Sequence, residues 1–341
     1  MPTGKRPRMP TVRALVVACL LLLLLGSGCG RERPSDEPLA GETTEEDPLG
    51  SFEEEALTGR IRADGSSTLA PFMSLAAERF RKKEPKVSIT VGTSGTGGGF
   101  ERFCRGETDL SNASRPIKDE EQALCEKNGV ATFPLQVAND GIAVVVNREN
   151  TWAECLTVEQ LKKIWEPNSK VSSWRDVDPS FPDEDLALFG AGTDSGTFDY
   201  FTEAIVGEEG SSRTDYTPSE DDNVTVRGVS GEEGALGYFG LSYLVANENL
   251  VRGVEIDGGD GCVAPSVETV QDGSYKPLSR PLLTYPNEDA LAEKPALDPF
   301  LTFVIDNQPQ LAAGAKFVPM TQQQLDNART ALESGGVGIE E

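Results

Sequence analysis

Three times along this chain a short apolar stretch runs into a small turn of glycine and hydroxyl residues, and a helical pattern opens directly after it. The turns are Gly65–Thr68, Thr93–Gly99 and Gly192–Thr197. Arg60 to Ala63 reads as the strand before the first, Val87 to Val91 before the second and Leu186 to Phe189 before the third. Leu69 to Lys83 places Phe72, Leu75, Ala76 and Phe80 on one helical side, and further helices are expected from Phe100 and from Phe198. Gly141 to Asn147 adds a buried-strand run, Ile142 to Val146. Leu156 to Trp165 predicts an amphipathic helix opened by Thr157, with Gln160 three residues on in a capping-box spacing. Strands alternating with helices in this way predict an α/β fold with mainly parallel sheets.

The repeated turn carries chemistry as well as topology. A strand that hands over to a helix through glycine and hydroxyl residues presents backbone N–H groups, and the positive end of a helix dipole, to an anion. In an open α/β sheet such turns lie at the carboxyl ends of the strands, where ligands bind. One turn of this kind is an ordinary helix cap. Three of them, with a fourth loop of Ser114-Arg115-Pro116 that offers a planar fork of donors, point to an oxyanion.

Composition narrows the classes further. The 341 residues suffice for two domains. With 31 basic against 56 acidic residues the formal charge is −25, so the global field repels nucleic acid and any bound anion must be held by local groups. There is no histidine, which removes the usual general base and the usual zinc ligand. Asp194-Ser195-Gly196 is similar to the nucleophile loop of trypsin-like serine proteases, but no histidine exists to activate that serine, and the chain is not read as an enzyme. No cofactor and no metal site are expected. Trp152, Trp165 and Trp174 read as packing residues, and Glu220-Asp221-Asp222 reads as a solvated loop, since it lacks the spaced ligands of a calcium loop.

The first residues read as an address. Lys5, Arg6, Arg8 and Arg13 precede an apolar run from Ala14 to Leu25, which is too short to span a bilayer. It ends in Leu25-Gly26-Ser27-Gly28-Cys29, similar to a bacterial lipobox, although Gly26 stands where an aliphatic residue is preferred. Residues 1–28 are therefore expected to be a lipoprotein signal peptide, Cys29 the lipidated residue, and 29–58 an acidic tether too polar to fold. Lipidation, by palmitate among other chains, would hold the protein on the extracytoplasmic side of the cell membrane. Four cysteines remain, and an exported chain with an even count suggests two disulfides. Three pairings are possible. Cys104–Cys125, close in sequence, together with Cys155–Cys262 is favoured.

Several segments together resemble the phosphate-binding proteins of the bacterial Pst transporter, from about residue 59 to 332. They are Asp64-Gly65-Ser66-Ser67-Thr68, Ser94 to Phe100, Ser111 to Ile117, Asn139 to Asn147, Leu156 to Leu161, Thr193 to Phe198, Gly234 to Gly240 and Pro277 to Leu282. The resemblance implies a two-domain, type II periplasmic-binding-protein-like fold with the ligand in the interdomain cleft and two hinge crossings. It places α/β domain I at 59–138 plus 283–341 and α/β domain II at 139–282. It implies a monomer that delivers inorganic phosphate to the permease subunits of an ABC importer by domain closure; sulfate, molybdate or tungstate binding, or surface phosphate sensing, is the alternative. Carried over by position, the ligand set is Ser67, Thr68 and Leu69, then Ser94 and Thr96, then Ser195, Gly196 and Thr197. The best-known pattern has an aspartate where Arg115 stands and an arginine where Ala191 stands. Arg115 is therefore expected to supply the positive charge. The carboxylate that accepts the phosphate proton must come from elsewhere, with Asp140 the first candidate and Asp194 the second. Arg280 is read as a turn residue near the hinge.

Overall fold

A computed structural model describes residues 56–336. Cys29, the leader and most of the tether lie outside the described residues. Among the described residues no helix is long and apolar enough to cross a membrane.

The first lobe is built from strand β1 (Gly59–Gly65), helix α1 (Ala70–Lys83), β2 (Val87–Val91), α2 (Gly95–Phe103), β3 (Leu110–Ala113) and α3 (Asp119–Lys127). β1 pairs in parallel with β2 on one side and with β3 on the other. The 13-residue strand β4 (Leu135–Asn147) then leaves this lobe. The second lobe follows with β5 (Cys155–Thr157), α4 (Val158–Trp165), α5 (Trp174–Val177), β6 (Ala187–Ala191), α6 (Gly196–Phe201), β7 (Thr217–Ser219), β8 (Ala235–Gly240), β9 (Val251–Gly253), β10 (Glu255–Asp257) and β11 (Cys262–Val263). Strand β12 (Ser279–Pro286) returns, and helices at Leu297–Asp306, Gln308–Ala315 and Gln322–Ser334 close the chain over the first lobe.

One nine-stranded sheet runs through both lobes in the order β2-β1-β3-β12-β4-β8-β6-β7, with β9 also on β4. β6 pairs in parallel with β7 and with β8, as β1 does with its neighbours. The antiparallel strands β4 and β12 join the two parallel sets: Leu135 to Gly141 pairs with β12, and Ile142 to Val146 pairs with β8. The apolar cores divide at the same place. Ile61, Phe72, Leu110, Leu135, Leu282 and Phe300 share one. Ile142 to Val146, Trp165, Tyr238 and Leu278 belong to the other. The mixed α/β architecture is that of the type II periplasmic-binding fold.

The expected capping box is present: Gln160 N donates to Thr157 Oγ1 at 3.1 Å and Thr157 N to Gln160 Oε1 at 2.9 Å. The second and third glycine turns differ from the reading above. Their helices begin two to five residues earlier than Phe100 and Phe198, so Gly95 to Gly99 form the first turns of α2 rather than a loop before it. Gly95 supplies the left-handed φ of +77° that starts it. Both disulfides pair as favoured, Cys104 with Cys125 at a Cα separation of 4.2 Å and Cys155 with Cys262 at 6.0 Å. Trp165 and Trp174 are fully buried and meet Phe201, Tyr216 and Tyr238, or Trp152 and Phe181, edge to face.

Candidate anion-binding site

The ends of β1 and β6 face each other across the junction of the lobes, and they touch. Thr68 Oγ1 donates to the carbonyl of Gly196 at 3.2 Å, and Ser67 Oγ donates to Asp199 Oδ2 at 3.0 Å. Beside these contacts lies a cavity of about 220 Å³, lined by Ser66, Ser67 and Thr68 from the first turn, Thr96 from α2, Ser114, Arg115 and Lys118 from the loop between β3 and α3, and Asp199, Glu203 and Arg280 from the other side. Gly95, Gly97, Tyr200 and Glu209 complete it.

The residue that dominates this cavity is one read above only as a turn residue near the hinge. Arg280 lies on β12, directly opposite Asp140 on β4. Its side chain is only 9% exposed. Nε points at Asp140 Oδ2 at 3.3 Å, Nη2 donates to Thr68 Oγ1 at 3.0 Å, and the guanidinium lies 3.4 Å above the Tyr200 ring. The phenol of Tyr200 is anchored on the Pro277 carbonyl at 2.7 Å. Charge pairing, stacking and a hydroxyl acceptor thus fix a planar donor group at the lobe junction. Burial pushes the Asp140 carboxyl above its usual value, and Arg280 opposes that rise. The clue was available: Arg280 stands within one of the matching segments, on a strand bound to cross with β4. Its distance of 140 residues from Asp140 hid the pairing.

The expected ligands divide. Ser67, Thr68, Thr96 and Arg115 line the cavity. Arg115 does so with its fork turned onto Glu121, at 2.7 and 2.8 Å, and this bond holds its protonated form even more firmly. Thr96 Oγ1 bonds Ser114 Oγ at 3.0 Å. Leu69, Ser94, Asp140, Ser195, Gly196 and Thr197 are not among the lining residues. Leu69 N donates to Ser66 Oγ at 3.3 Å, and Ser195 Oγ accepts from Thr197 N at 3.2 Å as the cap of α6. Ser94 N donates to Asp64 Oδ1 at 3.0 Å. Asp64 also takes Gly65 N and Arg102 Nη1, both at 2.8 Å. Burial disfavours the Asp64 charge, but these donors outweigh it and hold the carboxyl below its usual value. Asp64 therefore ties the first glycine turn to the second. Asp194 is exposed, and its amide faces Glu220 at 3.3 Å.

Comparison with known proteins agrees with the fold. Residues 50–308 match the model of a PBP superfamily domain. The chain is 42% identical over 280 residues to Protein SphX of Synechocystis, covering 82% of this chain and 83% of that protein. It is 36% identical over 276 residues to the Phosphate-binding protein PstS of Staphylococcus saprophyticus, covering 81% and 85%. A crystal structure of a possible phosphate binding protein from Planctomyces limnophilus superposes with a TM-score of 0.78 at 43% identity, covering 82% of this chain and 99% of that one. With this fold, these relatives and an arginine fixed at the lobe junction, the chain belongs to the PstS family of phosphate-binding proteins within the PBP superfamily.

Proposed function

We propose that this protein is an extracytoplasmic receptor that captures inorganic phosphate between its two lobes and delivers it to an ABC-type importer. The observation that carries this reading is Arg280: a nearly buried guanidinium, fixed by Asp140, Tyr200 and Thr68, in a cavity between lobes of an acidic protein. A buried charge of this kind is maintained where it meets an opposite charge. Asp140 orients it from below, and the face toward the cavity is left for a ligand.

The lobes are residues 59–138 with 283–341, and 139–282, hinged where β4 and β12 cross. Thr68, Ser67, Thr96, Arg115 and Arg280 contact the phosphate oxygens first. Ser195, Gly196 and Thr197 offer their amides and hydroxyls from beside the cavity, where Gly196 already meets Thr68 of the other lobe, with Ser94 and Leu69 supporting the opposite turns. Binding shifts the population toward the closed form, which the permease recognises. No step of covalent chemistry is required, in keeping with relatives that are named as binding proteins. Cys29 carries the lipid anchor, and the protein works as a monomer on the cell membrane.

Isothermal titration of the purified protein with phosphate, alone and in a tenfold excess of sulfate, tests this. One-to-one binding undisturbed by sulfate is the expected result. No phosphate binding, or displacement by sulfate, refutes it and returns the site to a receptor for another oxyanion such as sulfate, molybdate or tungstate.

A further inference from the structure

The residue that separates phosphate from sulfate is not settled by the family resemblance, because Arg115 stands where the acceptor aspartate would be. Phosphate at neutral pH still carries a proton and sulfate does not, so a fixed acceptor inside the cavity favours the first and repels the second. The carboxylates near the cavity differ in what they already hold. Both oxygens of Glu121 face the Arg115 fork. Asp140 is not among the lining residues and has Arg280 on its Oδ2. Asp194 does not line the cavity at all. Glu203 faces Arg280 at 4.0 Å and is half exposed. Glu209 lines the cavity but is exposed at its rim.

Asp199 is different. It lines the cavity, is partly buried and makes no ion pair among the described residues. Its carboxylate takes a hydrogen bond from Ser67 Oγ at 3.0 Å, across the lobe junction. Ser67 is itself one of the expected phosphate contacts, so the hydroxyl can turn to a ligand oxygen when one arrives. The carboxylate it leaves is then an acceptor on the cavity wall. We propose that Asp199 is the specificity-determining residue, accepting the hydrogen bond from the protonated oxygen of phosphate and turning sulfate away by leaving two acceptors face to face. This rests on the phosphate-receptor reading above. It gives closure a second use, because Asp199 belongs to the second lobe while Ser67 and Thr68 belong to the first.

The test is titration of the wild type, Asp199→Asn and Ser67→Ala with potassium phosphate and potassium sulfate in separate runs. Asparagine keeps the shape and an acceptor for Ser67, but it can donate to sulfate. The expected result is that Asp199→Asn narrows the ratio of sulfate to phosphate Kd by roughly 10- to 100-fold, the range for a buried acceptor that loses its donor. Ser67→Ala removes the other end of the hydrogen bond and leaves the carboxylate, so it weakens phosphate while keeping the ratio within about threefold. A ratio unchanged in Asp199→Asn, in a wild type that binds phosphate tightly, overturns the assignment and leaves the receptor function standing. A ratio that collapses equally in Ser67→Ala overturns it too, since the contact rather than the carboxylate would then matter. A wild type that binds no phosphate overturns both readings together.

Discussion

Gly196 packs directly against Thr68 across the lobe junction, and a single methyl group there tests whether closure forms the site. A Cβ built on Gly196 falls 2.7 Å from Thr68 Cα, 2.7 Å from Thr68 Oγ1 and 2.9 Å from Thr68 N. Two of these are backbone atoms of the opposite lobe and have no rotamer with which to escape. In Gly196→Ala the lobes must stay apart by several tenths of an ångström. Overpacking of this size costs about 1–3 kcal/mol. The Thr68-to-Gly196 hydrogen bond, lost as the gap opens, adds about 1 kcal/mol. Together they put about 2–4 kcal/mol on the closed state alone. Apparent affinity scales with the population of the competent state, so phosphate Kd rises roughly 30- to 700-fold. The fold itself should not suffer. Gly196 is the first residue of α6, where alanine is the better helix former by up to about 1 kcal/mol. Calorimetric titration paired with thermal melting of the unliganded protein separates the two effects. A Kd within threefold of wild type, at an unchanged melting temperature, refutes the reasoning.

Arg280→Lys keeps the charge but loses the fork that joins Asp140 to Thr68 and the plane that stacks on Tyr200, so titration should show phosphate binding weakened by about 10- to 100-fold. Arg280→Ala goes further and strands the buried Asp140 charge, so its thermal unfolding should report about 3–5 kcal/mol of lost stability. The carboxyl of Asp64 is held below its ordinary value of 3.8, so its stabilisation is present above that pH and is lost as pH falls through the lower folded value; Asp64→Asn should flatten this acid limb in melting curves between pH 7 and 2. The Cys155–Cys262 bridge spans a sequence separation of 107 residues, so replacing both cysteines by alanine should cost about 2–5 kcal/mol in denaturant unfolding, most of it through a less constrained unfolded chain.

What the sequence disclosed, and what it did not, follows from the range of each interaction. The capping box of Thr157 and Gln160 acts over three residues, and it was readable. So was the strand Val87–Val91, whose limits are those of its own pattern. The Cys104–Cys125 pair, 21 residues apart, was the natural choice of partners. Gly95, Gly97, Gly98 and Gly99 suggest a loop, because glycine is a poor helix former. Tertiary contact overrides that propensity: a Cβ on Gly99 would lie 2.4 Å from Gly65 Cα, so only glycine lets α2 pack this closely against β1. The site shows the same division. The three turns were visible as local signatures, whereas the Arg280–Asp140–Thr68 cluster joins residues 72, 140 and 212 positions apart, and no local pattern connects them.

The position of the arginine changes how the site works. An arginine at position 191 would end β6 and travel with the second lobe, so it would approach the ligand only on closure. Arg280 instead sits on β12, one of the two strands that link the lobes, opposite Asp140 on the other. Under the proposed function its charge would stay near the hinge and face the ligand in open and closed forms alike. The cavity gains little net charge, because its three cations, Arg115, Lys118 and Arg280, meet three lining carboxylates, Asp199, Glu203 and Glu209, besides the pairing of Arg115 with Glu121 and of Arg280 with Asp140. What the cavity offers an anion is thus a set of oriented donors rather than a positive potential. In a chain of formal charge −25 this is the workable arrangement, since hydrogen bonds fixed at contact distance survive a global field of the wrong sign. It also implies that affinity should depend little on ionic strength, because screening acts on long-range fields and not on contacts of 3 Å or so inside a closed cavity.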